Sequence, residues 1–296
     1  MSAGTHDDID WAARLSELRR LDALESDAVR AVAERLAGGL PEDAVVVDAG
    51  CGAGGMSAAL ASVLKDNGGG RLVLIDASEE LLVAAQEAAE TTGGGDVAVT
   101  TVVADVAVDP LASLVQQADL VWASAMVHHL PDQQAGVTAL VRLLAPGGRL
   151  ALAEGGTGQS FLPWDIGLGH PGLESRLNAA RNAWFADMRG GIDGAVAMPY
   201  GWTTALIRAG LVEATSFSYL VEHPPPVDDA VRRYVVERFT WLADVVSDRL
   251  APADRETVAE LLDPDSAYYV GARDDVFMLY ARTVHTAVRP LREGHR

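Results

Sequence analysis

Short apolar runs alternate with amphipathic stretches between residues 40 and 156. Most of the runs stop at an acidic residue or a glycine, and they lie at 44–47, 72–75, 97–103, 120–122 and 150–153. The stretches between them carry apolar residues at helical spacing, as at Met56, Leu60 and Leu64. Continuous apolar strands that alternate with amphipathic helices indicate a parallel sheet covered on both faces. The pattern therefore predicts a doubly wound α/β domain.

The segments on either side of this domain have other patterns. Apolar positions between 21 and 36 recur at helical spacing, and runs at 212–221 and 276–284 predict a sixth and a seventh strand. Three consecutive prolines at 224–226 form a break. We expect an N-terminal helical segment over the ligand site (1–39), the core (40–156), a helical lid (157–200), the end of the core sheet (201–223 and 274–290) and a helical cap insertion (224–273). Trp11 is a candidate for closing over the ligand site, and surface packing is the alternative.

The charge balance narrows the class of partner. Lys and Arg total 23 against 42 Asp and Glu, a net charge of −19. This acid excess argues against nucleic acid and anionic membrane surfaces, because both are bound by basic patches. Cys51 is the single cysteine, which rules out disulfides within the chain and cysteine-based zinc sites. The first ten residues carry three aspartates and no apolar run, so we expect no secretory signal and a cytoplasmic location.

A glycine-rich turn follows the first apolar run. Gly50, Gly52 and Gly55 satisfy the pattern G-x-G-x-x-G of dinucleotide-binding loops, and Asp76 ends the next strand where a ribose-binding acid is expected. Two acids argue against a dinucleotide. Asp48 lies just before the loop, where its carboxylate would repel a pyrophosphate and favour an ammonium or sulfonium group. Asp105 ends the third run, where it could bind an adenine amino group.

These motifs carry a family resemblance. The segments concerned are 48–54, 75–76, 104–106 and 144–150, with the sequences DAGCGAG, ID, ADV and LAPGGRL. In this order and spacing they resemble the class I S-adenosylmethionine-dependent methyltransferases, in their small-molecule, natural-product branch. The resemblance implies a Rossmann-like, seven-stranded, mostly parallel sheet with an antiparallel last strand and helical cap insertions. The long connection between strands six and seven departs from that pattern.

The resemblance also implies roles at the cofactor. The backbone at Gly50, Gly52 and Gly54 would approach the methionine part, and Asp48 would orient the loop and favour the cation. Asp76, with Ala77 beside it, would accept the ribose hydroxyls. The remaining positions are Asp105 and Val106 at the adenine, and Ala123 at the end of the fourth strand. The alternative for Asp48 and Asp76 is that they merely cap helices.

Candidate catalytic residues follow the fourth and fifth strands. His128 and His129 leave the carboxyl end of the sheet, where ligands of open α/β folds bind. Histidine titrates near neutrality and suits a general base. Adjacent side chains seldom point the same way, so we expect at most one to reach the acceptor; both could instead be structural. Glu154 could orient an imidazole, bind the acceptor or cap a turn.

Aromatic residues are the best clue to the acceptor. Residues 40–156 hold one of the 17 aromatic residues, whereas 161–241 hold eleven. An apolar pocket with a few polar groups is typical of small-molecule sites. The candidates for lining one are Phe161, Trp164, Trp184, Phe185, Tyr200 and Trp202. The alternative is that most of them only pack inside the caps.

The sequence thus favours a methyltransferase of bacterial secondary metabolism. It would move the methyl group of S-adenosylmethionine to an apolar or aromatic small molecule, leaving S-adenosylhomocysteine, with no metal. O-, N- and C-methylation stay open, and a narrower hypothesis is C-methylation of an indole or a tryptophan-derived cyclic dipeptide. The rivals are an NAD-dependent oxidoreductase and a non-catalytic cofactor-binding protein. We expect no nucleic-acid or membrane partner, and a monomer or a homodimer.

Overall fold

A computed structural model describes residues 14–291 of the chain. Residues 1–13 of the predicted N-terminal segment, which include Trp11, lie outside the described residues. The described chain divides into two compact units. The core unit comprises residues 14–155, 193–219 and 282–291, and the helical unit comprises 156–192 and 220–281.

A seven-stranded sheet is the main element of the fold. Its strands, in chain order, are β1 (Val45–Ala49), β2 (Gly70–Asp76), β3 (Val97–Val103), β4 (Ala118–Ser124), β5 (Leu144–Gly156), β6 (Val212–His223) and β7 (Met278–Val288). The order across the sheet is β3-β2-β1-β4-β5-β7-β6. Strands β1 to β5 pair in parallel. The backbone bonds of Gly147 and Gly148 with Arg289 show that β7 is antiparallel to β5. The predicted fold class is confirmed.

Nine helices are described between residues 14 and 291. They are α1 (Leu15–Ala37), α2 (Gly55–Asp66), α3 (Glu79–Gly93), α4 (Leu111–Leu114), α5 (Gln133–Arg142), α6 (Leu173–Gly190), α7 (Trp202–Arg208), α8 (Asp229–Val246) and α9 (Pro252–Leu262). Short polar side chains fix three of their starts. The N-caps Ser78, Asp132 and Asp228 accept the backbone N–H of the residue three positions later, at 3.3, 2.9 and 2.9 Å. Each cap satisfies one of the N–H groups that a helix start leaves without an internal partner.

The core unit buries both faces of its sheet, which explains why the central strands are continuously apolar. Val46 and Leu72 belong to the cluster on one face, together with residues of α1 and α2. Val47 and Leu140 belong to the cluster on the other face, where α5 and α7 pack. Neighbouring residues of a strand point to opposite faces, so one apolar run supplies both clusters.

The helical unit has an aromatic core of its own. Phe161 is 1% exposed, and its ring makes edge contacts with Tyr234 and Phe239 at centroid distances of 6.2 and 6.0 Å. Arg176 on α6 forms two hydrogen bonds of 2.8 Å with Asp254 on α9. The predicted lid and cap insertion thus supply the helices α6, α8 and α9 of a compact body.

The fifth strand begins earlier than the apolar run predicts. The run at 150–153 lies in the second half of β5, which starts at Leu144. The pairing register with β4 shifts between Ala118 and Leu120, from partner Leu144 to partner Arg149. The turn residues Pro146, Gly147 and Gly148 therefore form an irregularity inside the strand, as a β-bulge does.

Two kinds of feature are absent from residues 14–291. Within that span no helix is long and apolar enough to cross a membrane. The same span contains no group of three or more His, Cys, Asp or Glu side chains arranged to hold a metal ion.

Candidate functional site

The glycine loop connects β1 to α2 in left-handed backbone conformations. Gly50, Gly52 and Gly54 have φ angles of 72°, 54° and 93°. A Cβ on Gly54 would lie 2.5 Å from the Cα of Ala85 on α3, so packing requires this glycine. A Cβ on Gly52 would meet no atom within 4 Å. Gly52 is thus the position where the loop backbone is open to a ligand.

Asp76 ties the end of β2 to this loop. Its Oδ2 accepts the backbone N–H of Gly52 at 3.0 Å, and its Oδ1 accepts that of Ser78 at 3.1 Å. Each carboxylate oxygen has a second lone pair. Asp76 can therefore hold the loop and still accept a hydroxyl from a ligand, so the ribose role and the structural role are compatible.

Asp48 is an internal residue at the end of β1. It is 1% exposed, and its Oδ2 accepts the Ser57 hydroxyl of α2 at 2.7 Å. Burial, opposed by the Ser57 hydrogen bond and aided by the charges of Asp76 and Asp22, raises the pKa of Asp48 to about 7. Its side chain orients the loop from behind, and its neutral form is well populated near pH 7.

Asp22 on α1 is a residue at this loop that sequence reasoning missed. Its Oδ2 accepts the backbone N–H of Gly55, the first residue of α2, at 3.0 Å. Burial, opposed by this hydrogen bond, raises the pKa of Asp22 to about 6. No local motif marks it, because Asp22 lies 33 positions before its partner.

Cys51, within the loop, is buried and carries no catalytic role. Burial and the charges of Asp48 and Asp76 raise the pKa of its thiol well above the usual range. A buried thiol that stays protonated is a weak nucleophile. Cys51 therefore belongs to the apolar packing behind the loop.

The other predicted cofactor positions differ in accessibility. Asp105 is half-buried, and its Oδ1 accepts the N–H of Ala107 at 2.7 Å. Ala77 is exposed. Val106 and Ala123 are 7% and 0% exposed and belong to the core cluster. Both therefore pack in the core, and their contact with the cofactor stays a prediction.

The exit of β4 directs three backbone N–H groups at one carboxylate. Ala125 has a φ of 50°, a left-handed conformation that turns the chain sharply after the strand. The N–H groups of Met126, Val127 and His128 then point at Oε1 of Glu154, at 3.1, 2.8 and 3.4 Å. Glu154 is 2% exposed. These donors compensate the carboxylate for the hydration that it loses on burial.

The same carboxylate binds His128. Its Oε2 lies 2.7 Å from His128 Nδ1. Because a carboxylate accepts, Nδ1 carries the proton, and Nε2 of the neutral ring carries the lone pair. The His128 side chain is 28% exposed. This arrangement matches the physical requirements of a general base whose ring is oriented by a buried acid.

Two other histidines lie near this pair. The rings of His128 and His129 have centroids 4.1 Å apart. The two rings are thus neighbours on the 3-10 helix Val127–His129, closer together than expected of adjacent side chains. That at most one of them reaches the acceptor stays a prediction. His285 on β7, which the sequence analysis missed, donates from Nε2 to the Glu154 carbonyl at 3.1 Å.

The six candidate acceptor residues are divided between the two units. Phe161, Trp164, Trp184 and Phe185 belong to the helical unit, whereas Tyr200 and Trp202 belong to the core unit. Phe161 is buried in an aromatic core, and Trp184 packs edge-on against Trp241. Tyr200 donates to Gln134 at 3.0 Å. Trp164 is 73% exposed, and it is the one of the six with a largely accessible side chain.

The glycine loop and the Glu154–His128 pair lie at the same edge of the sheet. β1 and β4 are neighbours in the sheet. A Cβ on Gly50 would lie 2.8 Å from the Met126 side chain, so the loop after β1 contacts the turn after β4. This edge is the carboxyl end of the parallel strands, where open α/β sheets bind their ligands.

Comparison with solved structures finds chains of similar fold. A putative methyltransferase of Bacillus halodurans is 17% identical over 88% of this chain and 98% of its own, with a TM-score of 0.47. The YcgJ protein of Bacillus subtilis is 17% identical over 90% and 99%, with a TM-score of 0.49. A methyltransferase of Thiobacillus denitrificans in complex with S-adenosylhomocysteine is 18% identical over 87% and 90%, with a TM-score of 0.43. At such identities and TM-scores these structures do not bear on function.

Comparison with protein families and curated proteins gives one match. No curated protein matches the chain. Residues 47–150 match the family described as methyltransferase domain. This segment contains the glycine loop, Asp76, Asp105 and both histidines of the 3-10 turn. Residues 47–150 are thus similar to a methyltransferase domain, and S-adenosylmethionine is the cofactor of such domains.

Proposed function

We propose that the protein transfers the methyl group of S-adenosylmethionine to a small aromatic molecule. The observation that carries the proposal is the 2.7 Å contact of His128 with the buried Glu154, beside the glycine loop. A base positioned at the ligand-binding edge of a methyltransferase-like domain points to an acceptor that must lose a proton.

The glycine loop suits a cofactor that carries positive charge. Its open position is Gly52, whose N–H is accepted by the carboxylate of Asp76. A sulfonium and an ammonium group are attracted by such a carboxylate, whereas a phosphate is repelled. When bound, S-adenosylmethionine supplies a methyl group on a positively charged sulfur.

His128 would act as the general base. Its Nε2 would take the proton of the acceptor hydroxyl while the acceptor oxygen bonds to the methyl carbon and the carbon–sulfur bond breaks, its electron pair staying on the sulfur of S-adenosylhomocysteine. Glu154 would stabilise the imidazolium that forms and hold the ring in the required tautomer. The rest of the catalysis would be alignment of the reacting atoms and exclusion of water.

The base favours a class of acceptor. A neutral amine attacks through a lone pair that it already has, whereas a phenol must shed a proton to become a strong nucleophile. We therefore rank phenolic hydroxyls first, ahead of indole carbons, and propose a role in bacterial secondary metabolism.

An acceptor panel tests the proposal. The protein would be incubated with methyl-labelled S-adenosylmethionine and phenols, amines and indoles, and the products would be separated and counted. We expect label in at least one phenol. The proposal fails if no member of the panel is labelled although S-adenosylhomocysteine binds, which would favour a cofactor-binding protein. Stabilisation by NADH but not by S-adenosylhomocysteine in a thermal-shift titration would favour the oxidoreductase.

A further inference from the structure

Asp22 occupies the start of helix α2 from another helix. Its carboxylate accepts the Gly55 N–H at 3.0 Å. The approach is close: a Cβ on Gly55 would lie 2.5 Å from Asp22 Cγ. Gly55 therefore needs its lack of a side chain to admit the carboxyl group.

The start of α2 is the place where a dinucleotide-binding loop holds phosphate. In such loops the pyrophosphate lies at the helix N-terminus and bonds to backbone N–H groups, aided by the helix dipole. The chain has the G-x-G-x-x-G spacing at Gly50, Gly52 and Gly55 and an acid at the end of β2. The glycine pattern alone thus does not separate a phosphate-bearing ligand from one without phosphate.

Two carboxylates occupy the N–H groups that a phosphate would need. Asp22 takes the N–H of Gly55, and Asp76 takes that of Gly52. An acid at the position of Asp76 also belongs to dinucleotide sites, where it binds ribose. Asp22 is therefore the residue that departs from the phosphate-binding arrangement at the helix start.

Two charged neighbours act on Asp22 in opposite directions: the charge of Arg282 lowers the pKa of Asp22, and that of Glu25 raises it. The basic side chain near it is Arg282, which forms a 2.7 Å ion pair with Glu25. In residues 14–291 the hydrogen-bond partner of Asp22 is the Gly55 backbone. Because its pKa is raised only to about 6, Asp22 is ionised at pH 7.5.

We propose that Asp22 is a specificity-determining residue, whose carboxylate keeps phosphate-bearing adenosine ligands off the glycine loop. The loop is then left to an adenosine ligand that carries no phosphate. This inference rests on the proposed function for the identity of that ligand, S-adenosylmethionine. The exclusion of phosphate itself rests on the Asp22–Gly55 contact.

ADP is the probe that tests the inference. Its affinity would be measured by isothermal titration calorimetry at pH 7.5 for the wild-type protein, Asp22→Asn and Asp22→Ala. The Asn variant keeps an oxygen that can accept the Gly55 N–H and removes the charge, whereas the Ala variant also releases the N–H. We expect ADP affinity to rise in both, by at least about tenfold in Asp22→Ala, as a like charge at contact distance is removed.

Asp27→Asn is the matched control. Asp27 lies on the same helix with a 98% exposed side chain and changes the net charge by the same amount. We expect ADP to bind this variant as weakly as it binds the wild-type protein. Equal ADP affinity in all four proteins, or tight binding of ADP by the wild-type protein, overturns the inference.

S-adenosylhomocysteine keeps the two proposals apart. Binding of this product by the wild-type protein and by Asp22→Asn, within about threefold of each other, shows that the variant is folded and that the cofactor site is intact. If no protein binds S-adenosylhomocysteine, the proposed function fails, while the ADP series still reports on Asp22. A fall in S-adenosylhomocysteine affinity without any gain for ADP contradicts the inference.

Discussion

Asp48 and Glu154 are both buried carboxyl groups at strand ends of the same sheet edge, and the protein treats them in opposite ways. Asp48 accepts one side-chain hydroxyl, from Ser57. Glu154 accepts three backbone N–H groups on one oxygen and the His128 ring on the other. A buried carboxylate keeps its charge at little cost only when hydrogen bonds replace its hydration.

The position of a carboxyl group at a strand end therefore does not by itself define its role. From the sequence, Asp48 is expected to attract a cation. Glu154 is expected to orient an imidazole, bind the acceptor or cap a turn. Burial with a single donor raises the pKa of Asp48 to about 7, which weakens that electrostatic role near neutrality. The turn after β4 surrounds Glu154 with donors, which makes Glu154 suited to orient a base.

Replacement of Glu154 by Gln gives the largest expected effect on this comparison. The amide can accept the backbone N–H groups but cannot stabilise an imidazolium, so we expect turnover to fall by about 100-fold or more. The Kd of S-adenosylhomocysteine should change little. Steady-state rates at saturating cofactor and calorimetry check the two statements.

Glu174→Gln is the matched control for that variant. Glu174 is another buried acid that accepts backbone N–H groups, from Phe161 and Leu162, and burial raises its pKa to about 7. We expect its amide variant to retain turnover. If the Glu154 variant also retains wild-type turnover, the orienting role of Glu154 is wrong.

The pH dependence of stability isolates Asp48. The pKa of Asp48 in the folded protein, about 7, lies above the ordinary value of 3.8. Between pH 3.8 and pH 7 the folded chain therefore keeps a proton that the unfolded chain has released. Stability contributed by Asp48 therefore falls as pH rises through this window, by at most about 1.4 kcal/mol per pH unit.

Urea unfolding at pH 5 and pH 8 measures this dependence. We expect the free energy of unfolding of Asp48→Asn to fall less between the two pH values than that of the wild-type protein. Glu174 titrates in the same direction but is present in both proteins, so it cancels in the difference. Identical pH dependence in the two proteins contradicts the assignment to Asp48.

Ser57→Ala gives the smallest expected effect. It removes the single hydroxyl donor of Asp48, and the loss of one hydrogen bond to a buried group costs about 1–3 kcal/mol. Ser113→Ala is the control, because its exposed hydroxyl bonds a backbone carbonyl of the preceding turn. Urea midpoints at pH 8 compare the stabilities of the two variants. Equal stabilities would contradict the stabilisation of Asp48 by the Ser57 hydroxyl.

The sequence predicted the sheet well because its strands are coded locally. The five apolar runs of the core correspond to β1 to β5, and the last two runs to β6 and β7. The apolar pattern predicts strand ends less well where turn residues interrupt a strand. The Pro146–Gly148 turn lies inside β5 because a bulge absorbs residues that local patterns assign to a loop.

The candidate site was predicted in part, and the missed residues share a cause. Gly52, Asp76 and His128 stand next to strand ends, where motif and position coincide. Asp22 and His285 lie far along the chain from Gly55 and Glu154, their partners. Only tertiary contacts bring such residues together, so no local pattern could mark them. The aromatic set stays a prediction, because composition cannot separate core residues such as Phe161 from ligand-facing ones.

Turnover of His128→Ala and His129→Ala at saturating S-adenosylmethionine tests the central claim most directly. Each variant would be assayed with the best phenol of the acceptor panel, and the binding of S-adenosylhomocysteine would confirm an intact cofactor site. If His128 is the general base, turnover falls by about 100-fold or more in His128→Ala and changes by only a few-fold in His129→Ala. Unchanged turnover in His128→Ala would contradict that role.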